Sequence, residues 1–366
     1  MEIKILNIIT SGLKREGIAT TQLEFIRNMD MSGIRMDMLA VRDNEESVIR
    51  DFERNGCRVI VMPDRQKEAV KYCRALYRLM KKNKYDIIHV HGSSALLAME
   101  LCIARLCGIK VRIAHSRNTT CNNKKKDKLL RPLFYSSYTD AFACGRDAGE
   151  WLFGGREFTV IHNGKDLEKF RYSENDRNRI RSEYGLDGKL VIGNVGSLNE
   201  QKNQLFLLDI FNIIHTRKPN SVLFLIGEGR KRGEIEKKIS EYGLDDSIVL
   251  TGRISNVHEM LNAMDIMMLP SLHEGLPNVV LEWQASGLMS FVADTVTDEC
   301  KVTELVRYLP IDCGAEIWAD AAAAYEPLQD RRMISEAACE ELRKANFEIK
   351  ANAEFVKNKY VELIKQ

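Results

Sequence analysis

The chain of 366 residues holds no apolar run of about 18 residues, so no membrane-spanning helix is expected. It lacks any C-x-x-C pair, and its nine cysteines nowhere approach histidine with zinc-site spacing, which excludes a structural zinc module. Their odd number and scatter predict free thiols in a reducing compartment. Met1–Thr10 carries no basic leader and no cleavage site but reads as a strand, so a cytoplasmic protein is expected, with the inner face of the plasma membrane open as a peripheral location. A complete G-x-G-x-x-G is missing, which speaks against a dinucleotide-dependent dehydrogenase. No D-x-D pair, low-complexity tract or short-period repeat stands out.

What is present is the composition of a folded protein: 45% hydrophobic and 29% charged residues. The length exceeds what one core usually holds, so two domains are expected. The net charge of +2 hides an asymmetry. Residues 1–188 carry 34 basic and 25 acidic side chains, the remainder 20 and 27. A basic front half suits a phosphate-bearing or membrane-surface partner, and a merely solvated face fits as well. No nucleic-acid partner is expected.

Apolar strand-like runs alternate with helix-length segments along the whole chain. Ile3–Ile9, Met36–Val41, Arg58–Met62, Asp86–Val90, Val111–His115, Asp140–Cys144 and Thr159–His162 read as strands of a first domain. Leu190–Val195, Val222–Gly227, Ile248–Thr251, Ile266–Leu269 and Met289–Ala293 read as strands of a second. Such alternation predicts parallel, doubly wound sheets. The expected division is a first domain over 1–170, a linker over 171–188, a second domain over 189–345, and a C-terminal helix over 346–366 packing back toward the first. The polar, basic stretch 116–128 reads as a mobile loop.

Three βα loops carry candidate chemistry. Ser271–Glu282 follows a buried strand. Gly275 permits close backbone approach, Pro277 suits the first helical position, and the helix start would aim free N–H groups at a phosphate. Glu274 and Glu282 could accept hydrogen bonds from sugar hydroxyls; a proline-capped helix with two surface glutamates explains the spacing equally well. Gly196–Asn203 follows the first strand of the second domain and offers Lys202 to a diphosphate. The first βα loop ends in Glu16-Gly17-Ile18, a glycine turn that could face a phosphate.

Together these segments resemble glycosyltransferase family four, the large retaining family, and the likeness covers nearly the whole chain. Its marks are the E-x7-E pattern from Glu274 to Glu282, G-S-L-N-E-Q-K-N at Gly196–Asn203, V-I-H-N-G-K-D at Val160–Asp166, and T-G-R-I at Thr251–Ile254. Bacterial capsular and exopolysaccharide transferases are the nearest in character. The resemblance implies an α/β protein of the GT-B fold, two Rossmann-like domains with a cleft between them. It implies transfer of a sugar from a nucleoside diphosphate, UDP by family habit, to a hydroxyl acceptor such as a lipid-linked oligosaccharide, with retention and without metal or other cofactor.

Carried over residue by residue, Glu282 would hold the donor ribose and Glu274 the donor sugar, helped by backbone around Gly275, Leu276 and Asn278. Lys202 would hold the diphosphate, Gly17 would approach it from the first domain, and Gly196 and Ile254 would line the donor. The family's arginine falls at Ser197, so Arg253 or Arg230 would have to replace it. His115, at a strand end, would stand near the reacting sugar, with His89 and His91 as competitors. Apart from the resemblance, basic Lys124–Arg131 would suit an anionic membrane or, equally, a solvated loop. A GT-B-fold sugar-nucleotide epimerase and a catalytically silent nucleotide-sugar-binding subunit are the alternatives.

Overall fold

The computed structural model describes residues 2–15, 17–326 and 330–365. Its contacts divide the chain into two units, 1–164 with 349–366, and 165–348.

The first unit is a seven-stranded parallel sheet: β1 (Ile3–Ile9), β2 (Ile34–Ala40), β3 (Arg58–Val61), β4 (Ile87–Gly92), β5 (Val111–Ser116), β6 (Asp140–Ala143) and β7 (Thr159–Val160). The order is β3-β2-β1-β4-β5-β6-β7. Every residue of β4 is buried, which is why Ile87–Gly92 reads as a near-continuous apolar run rather than an alternation. Helix Gly17–Asn28 lays Leu23, Phe25 and Ile26 on one face of the sheet, and the C-terminal helix Ile349–Leu363 joins it with Ile349, Ala353, Val356 and Tyr360.

The second unit is a six-stranded parallel sheet: β8 (Leu190–Val195), β9 (Ser221–Ile226), β10 (Ile248–Gly252), β11 (Ile266–Leu269), β12 (Met289–Ala293) and β13 (Val306–Leu309). Its order is β10-β9-β8-β11-β12-β13. The order reverses between β8 and β11, so the loops leaving these two neighbours open a crevice at their carboxyl ends. Two close approaches fix that edge. Gly227, at φ +149, lies so near Gly196 that a Cβ would sit 2.0 Å from the Gly196 carbonyl oxygen, and one at Gly229 would sit 2.2 Å from that of Leu198. No helix among the described residues is long and apolar enough to cross a membrane.

Two sequence expectations are corrected. Residues 171–188 are not a linker: Glu174–Glu183 is a helix inside the second unit, capped by the Ser173 hydroxyl and tied by Arg177 and Arg181 to Asp265. Nor is the end of 116–128 loop. Helix Lys124–Tyr135 starts there, capped by Asn123, while buried Asp127 accepts the Ala95 N–H at 2.7 Å and pairs with Arg131. Local polarity concealed both helices because their apolar faces are narrow.

Candidate active site

Both loops at the β8/β11 reversal carry the residues singled out in the sequence, and they meet. Leu272 donates its N–H to the Gln201 carbonyl at 2.8 Å, joining the loop after β11 to the loop after β8. Gln201 Nε2 donates back to the His273 carbonyl at 2.9 Å and to Glu274 Oε2 at 3.2 Å. Lys202 Nζ lies 2.6 Å from Glu274 Oε1, with both side chains mostly buried. The aliphatic stem of Lys202 runs across Gly196, where a Cβ would stand 3.1 Å from Lys202 Cε. Glycine at 196 therefore gives the stem its path. Asn203 takes a left-handed φ of 55 before the helix Gln204–Arg217, turning the chain sharply after Lys202.

Helix Asn278–Ala285 starts at the mouth of the same loop. Pro277 occupies the N-cap rather than the first helical position, and no side chain caps the helix. Its first N–H groups and positive dipole end thus remain available to an anion. Around it, Ser271 Oγ and Asn278 Oδ1 are buried without a hydrogen-bond partner among the described residues, while Glu274 Oε1 has its ion pair with Lys202. Buried polar atoms are ordinarily matched. Two unmatched ones beside that ion pair mark a place where ligand hydroxyls belong.

Glu282, one turn further along the helix, is held by Lys165, whose Nζ lies 2.5 Å from Glu282 Oε1. Sequence reading missed Lys165. It stands 117 residues from Glu282 in the chain, and no spacing pattern links the two.

The remaining assignments scatter. Ser197 is exposed, and among the described residues only its carbonyl is engaged, by Gln204 Nε2 at 3.1 Å. Arg230 is committed to Glu200, whereas Arg253 is exposed and in no ion pair with the described residues, leaving it the freer of the two replacements for the missing arginine. Ile254 and Leu276 pack against the core of the second unit. A cavity of about 520 Å³ beside Tyr172, Arg177, Asp265 and Arg331 lies at the amino-terminal end of β11, away from these loops. Arg331 there donates to the Leu261, Asn262 and Met264 carbonyls, a structural duty.

In the first unit, Gly17 opens helix Gly17–Asn28 with φ 35, and a Cβ there would meet nothing within 4 Å; Glu16 lies outside the described residues. His115 on β5 is buried, stacked on His89 and tilted against His91 of β4, ring centroids 5.1 and 5.0 Å away. Burial, with Arg117 nearby, pushes all three pKa values well below the usual imidazole range, so the rings are neutral. Their nitrogens are near enough to share a metal ion. Yet both nitrogens of His89 are taken, by Tyr360 at 2.7 Å and His115 at 2.9 Å, and the Arg117 cation lies against His91. That arrangement opposes a divalent cation.

With this geometry in view, the comparisons with known proteins are decisive. Residues 15–169 match the family model described as Glycosyltransferase Family 4, and residues 189–319 match Glycosyl transferases group 1. "Putative glycosyltransferase EpsF" of Bacillus subtilis is 32% identical over 89% of this chain and 90% of its own length. The chain belongs to glycosyltransferase family 4. A UDP-Gal:alpha-D-GlcNAc-diphosphoundecaprenol alpha-1,3-galactosyltransferase of Escherichia coli is 28% identical to this transferase over 82% of each chain. Among solved structures, Anabaena HepE in complex with UDP superposes with a TM-score of 0.82 at 14% identity, covering 98% of the transferase and 100% of HepE. A glycosyltransferase from Rickettsia africae gives 0.81, also at 14%, covering 100% and 99%. These likenesses establish the GT-B fold for the family 4 transferase described here.

Proposed function

We propose that this glycosyltransferase moves a sugar from a nucleoside diphosphate, UDP-linked, to a hydroxyl acceptor in polysaccharide or glycolipid synthesis, with retention at the anomeric carbon. The observation that carries the proposal is the convergence of Lys202, Glu274 and the uncapped start of helix Asn278–Ala285 at the strand-order reversal, with Ser271 Oγ and Asn278 Oδ1 buried beside them without partners among the described residues.

The roles follow from charge and donor–acceptor chemistry. Glu274 and Asn278 accept from donor-sugar hydroxyls, and Glu282 accepts from the ribose diol. The Lys202 ammonium and the helix start stabilise the diphosphate as the anomeric C–O bond breaks, more in the transition state than before it. As the acceptor oxygen bonds to the anomeric carbon, its proton passes to a diphosphate oxygen. These groups supply the positive charge at the leaving group, so the reaction needs no metal, and activity is expected to survive saturating EDTA. HepE, solved with UDP and with UDP-glucose, supports a uridine donor.

The acceptor is lipid-linked, a reading supported by the Escherichia coli relative, whose name specifies a diphosphoundecaprenol acceptor. Helix Lys124–Tyr135 supports it too, since Leu129 and Leu133 are exposed beside Lys124, Lys125, Lys126 and Lys128, an arrangement suited to an anionic bilayer surface. Incubating the protein with candidate UDP-sugars and a lipid-diphosphate-linked acceptor tests the function. A new glycosidic bond is expected; formation of an epimerised sugar nucleotide from donor alone would refute it.

A further inference from the structure

Arg117 follows directly on β5, and among the described residues no carboxylate pairs with it. Buried Arg65, by contrast, is matched by Glu100. Arg117 Nε and Nη2 both donate to His91 Nδ1, at 3.1 and 3.0 Å, and Nη1 donates to Asn163 Oδ1 at 2.9 Å. A guanidinium has five N–H groups. Two of them, one on each Nη, are therefore left over. The cation is costly where it stands: burial pulls its pKa down to about 10.

The neighbouring imidazoles are donors as well. Because His91 Nδ1 accepts from Arg117, its proton sits on Nε2, and that atom is buried without a partner among the described residues. Tyr360 lines a small cavity with Gln22, Phe25, Ile26, Met29 and Val356, and among the described residues its hydroxyl hydrogen-bonds only to His89 Nδ1, at 2.7 Å. A buried hydroxyl needs an acceptor, so Tyr360 donates to His89, His89 Nε2–H donates to His115 Nδ1 at 2.9 Å, and the His115 proton sits on Nε2. That atom too is buried without a partner among the described residues. Arg117, His91 and His115 thus gather unused donors and one uncompensated positive charge at the carboxyl ends of β4 and β5.

We propose that Arg117, with the Nε2–H groups of His91 and His115, forms an anion subsite of the first unit that takes a phosphate group of a substrate. A phosphate brings several acceptor oxygens and the negative charge that Arg117 lacks. The subsite rests on the transferase reading only for the source of that phosphate, which is either the donor diphosphate or a phosphate carried by the acceptor.

Calorimetric titration of the full chain with inorganic phosphate tests the subsite, using wild type, Arg117→Gln and Lys202→Ala. Arg117→Gln is expected to bind phosphate about tenfold or more weakly than wild type, the loss of a charge-assisted contact, while Lys202→Ala reads the donor site of the second unit separately. Repeating the titration at saturating UDP separates the sources. Binding that persists assigns an acceptor phosphate; binding that UDP displaces, with weaker UDP binding by Arg117→Gln, assigns the donor diphosphate. Thermal unfolding supplies a second readout. Arg117→Gln is expected to melt no lower than wild type, because a neutral amide replaces an unpaired cation. Should Arg117→Gln fail to fold, Arg117→Lys keeps the charge without the planar fork and is expected to bind phosphate with intermediate affinity. Equal phosphate and UDP affinities in wild type and the Arg117 variants, or no phosphate binding by wild type, would overturn the proposal. Failure of the donor reading would show instead in Lys202→Ala.

Discussion

Lys202 Nζ stands 2.6 Å from Glu274 Oε1, so the two charged groups proposed for the donor neutralise one another in the unliganded protein. Neither is left as a lone buried charge while the site is empty. A diphosphate would compete for the ammonium and free Glu274 for sugar hydroxyls. Lys202→Ala is expected to lower kcat by about 10²–10³, the usual loss for one charge-stabilising donor. Circular dichroism should show the fold retained. Wild-type turnover in the variant would remove Lys202 from the site.

Lys165 and Glu282 form the second such pair. Replacing Lys165 with Met leaves a largely buried carboxylate unpaired and is expected to cost about 1–3 kcal/mol of stability. Adding Glu282→Gln should recover part of that loss, and a double-mutant cycle on denaturant unfolding measures the coupling. Strictly additive losses would mean that the pair contributes nothing. Glu282→Gln alone is expected to raise the donor KM more than it lowers kcat, since it acts on the ribose rather than the leaving group.

His89, His91 and His115 make stability pH-dependent. Burial, reinforced by Arg117, holds their folded pKa values well below the usual 6.5. The unfolded chain therefore binds more protons than the folded one below pH 6.5. Stability should fall as pH drops through that value, by up to about 1.4 kcal/mol per pH unit for each ring that stays neutral. Tyr360, the other titratable group against these rings, has its pKa pushed up by burial and stays protonated throughout. Calorimetric unfolding between about pH 7.5 and 5 checks the slope; a flat profile would show that the rings protonate within the fold.

Gly227→Ala tests the crevice edge itself. Its Cβ would meet the Gly196 carbonyl oxygen at 2.0 Å, backbone that cannot move without shifting the Lys202 loop. A loss of roughly 2 kcal/mol or more is expected, together with weaker UDP binding. A Tm equal to wild type would show that the loop yields freely.

The sheets were legible because parallel strands buried on both faces leave apolar runs such as Ile87–Val90 and Ile266–Leu269. The helices Glu174–Glu183 and Lys124–Tyr135 were not, since each buries only a few residues and carries charge around the rest. Glu46–Arg54 was missed for the same reason, with Val48 and Phe52 its only buried residues. β13 was missed because Val306–Leu309 is a short run interrupted by Arg307. At the site, spacing within one loop pointed to Glu274, Asn278 and Glu282. It could not reveal the lysines that hold the carboxylates, because Lys202–Glu274 and Lys165–Glu282 are long-range contacts made by the fold. Arg117 was silent in the sequence, where an arginine after a strand looks solvated and its missing carboxylate cannot be seen.

The donor site is tested most directly by titrating the protein with UDP and following its melting temperature and heat of binding in wild type, Lys202→Ala and Glu282→Gln. A ligand that binds only the folded state raises stability by about 2.7 kcal/mol at one hundred times its Kd. UDP is expected to raise the wild-type Tm and to raise those of both variants far less at the same concentration. Equal shifts and equal affinities in all three proteins would place the nucleotide elsewhere and contradict the site described here.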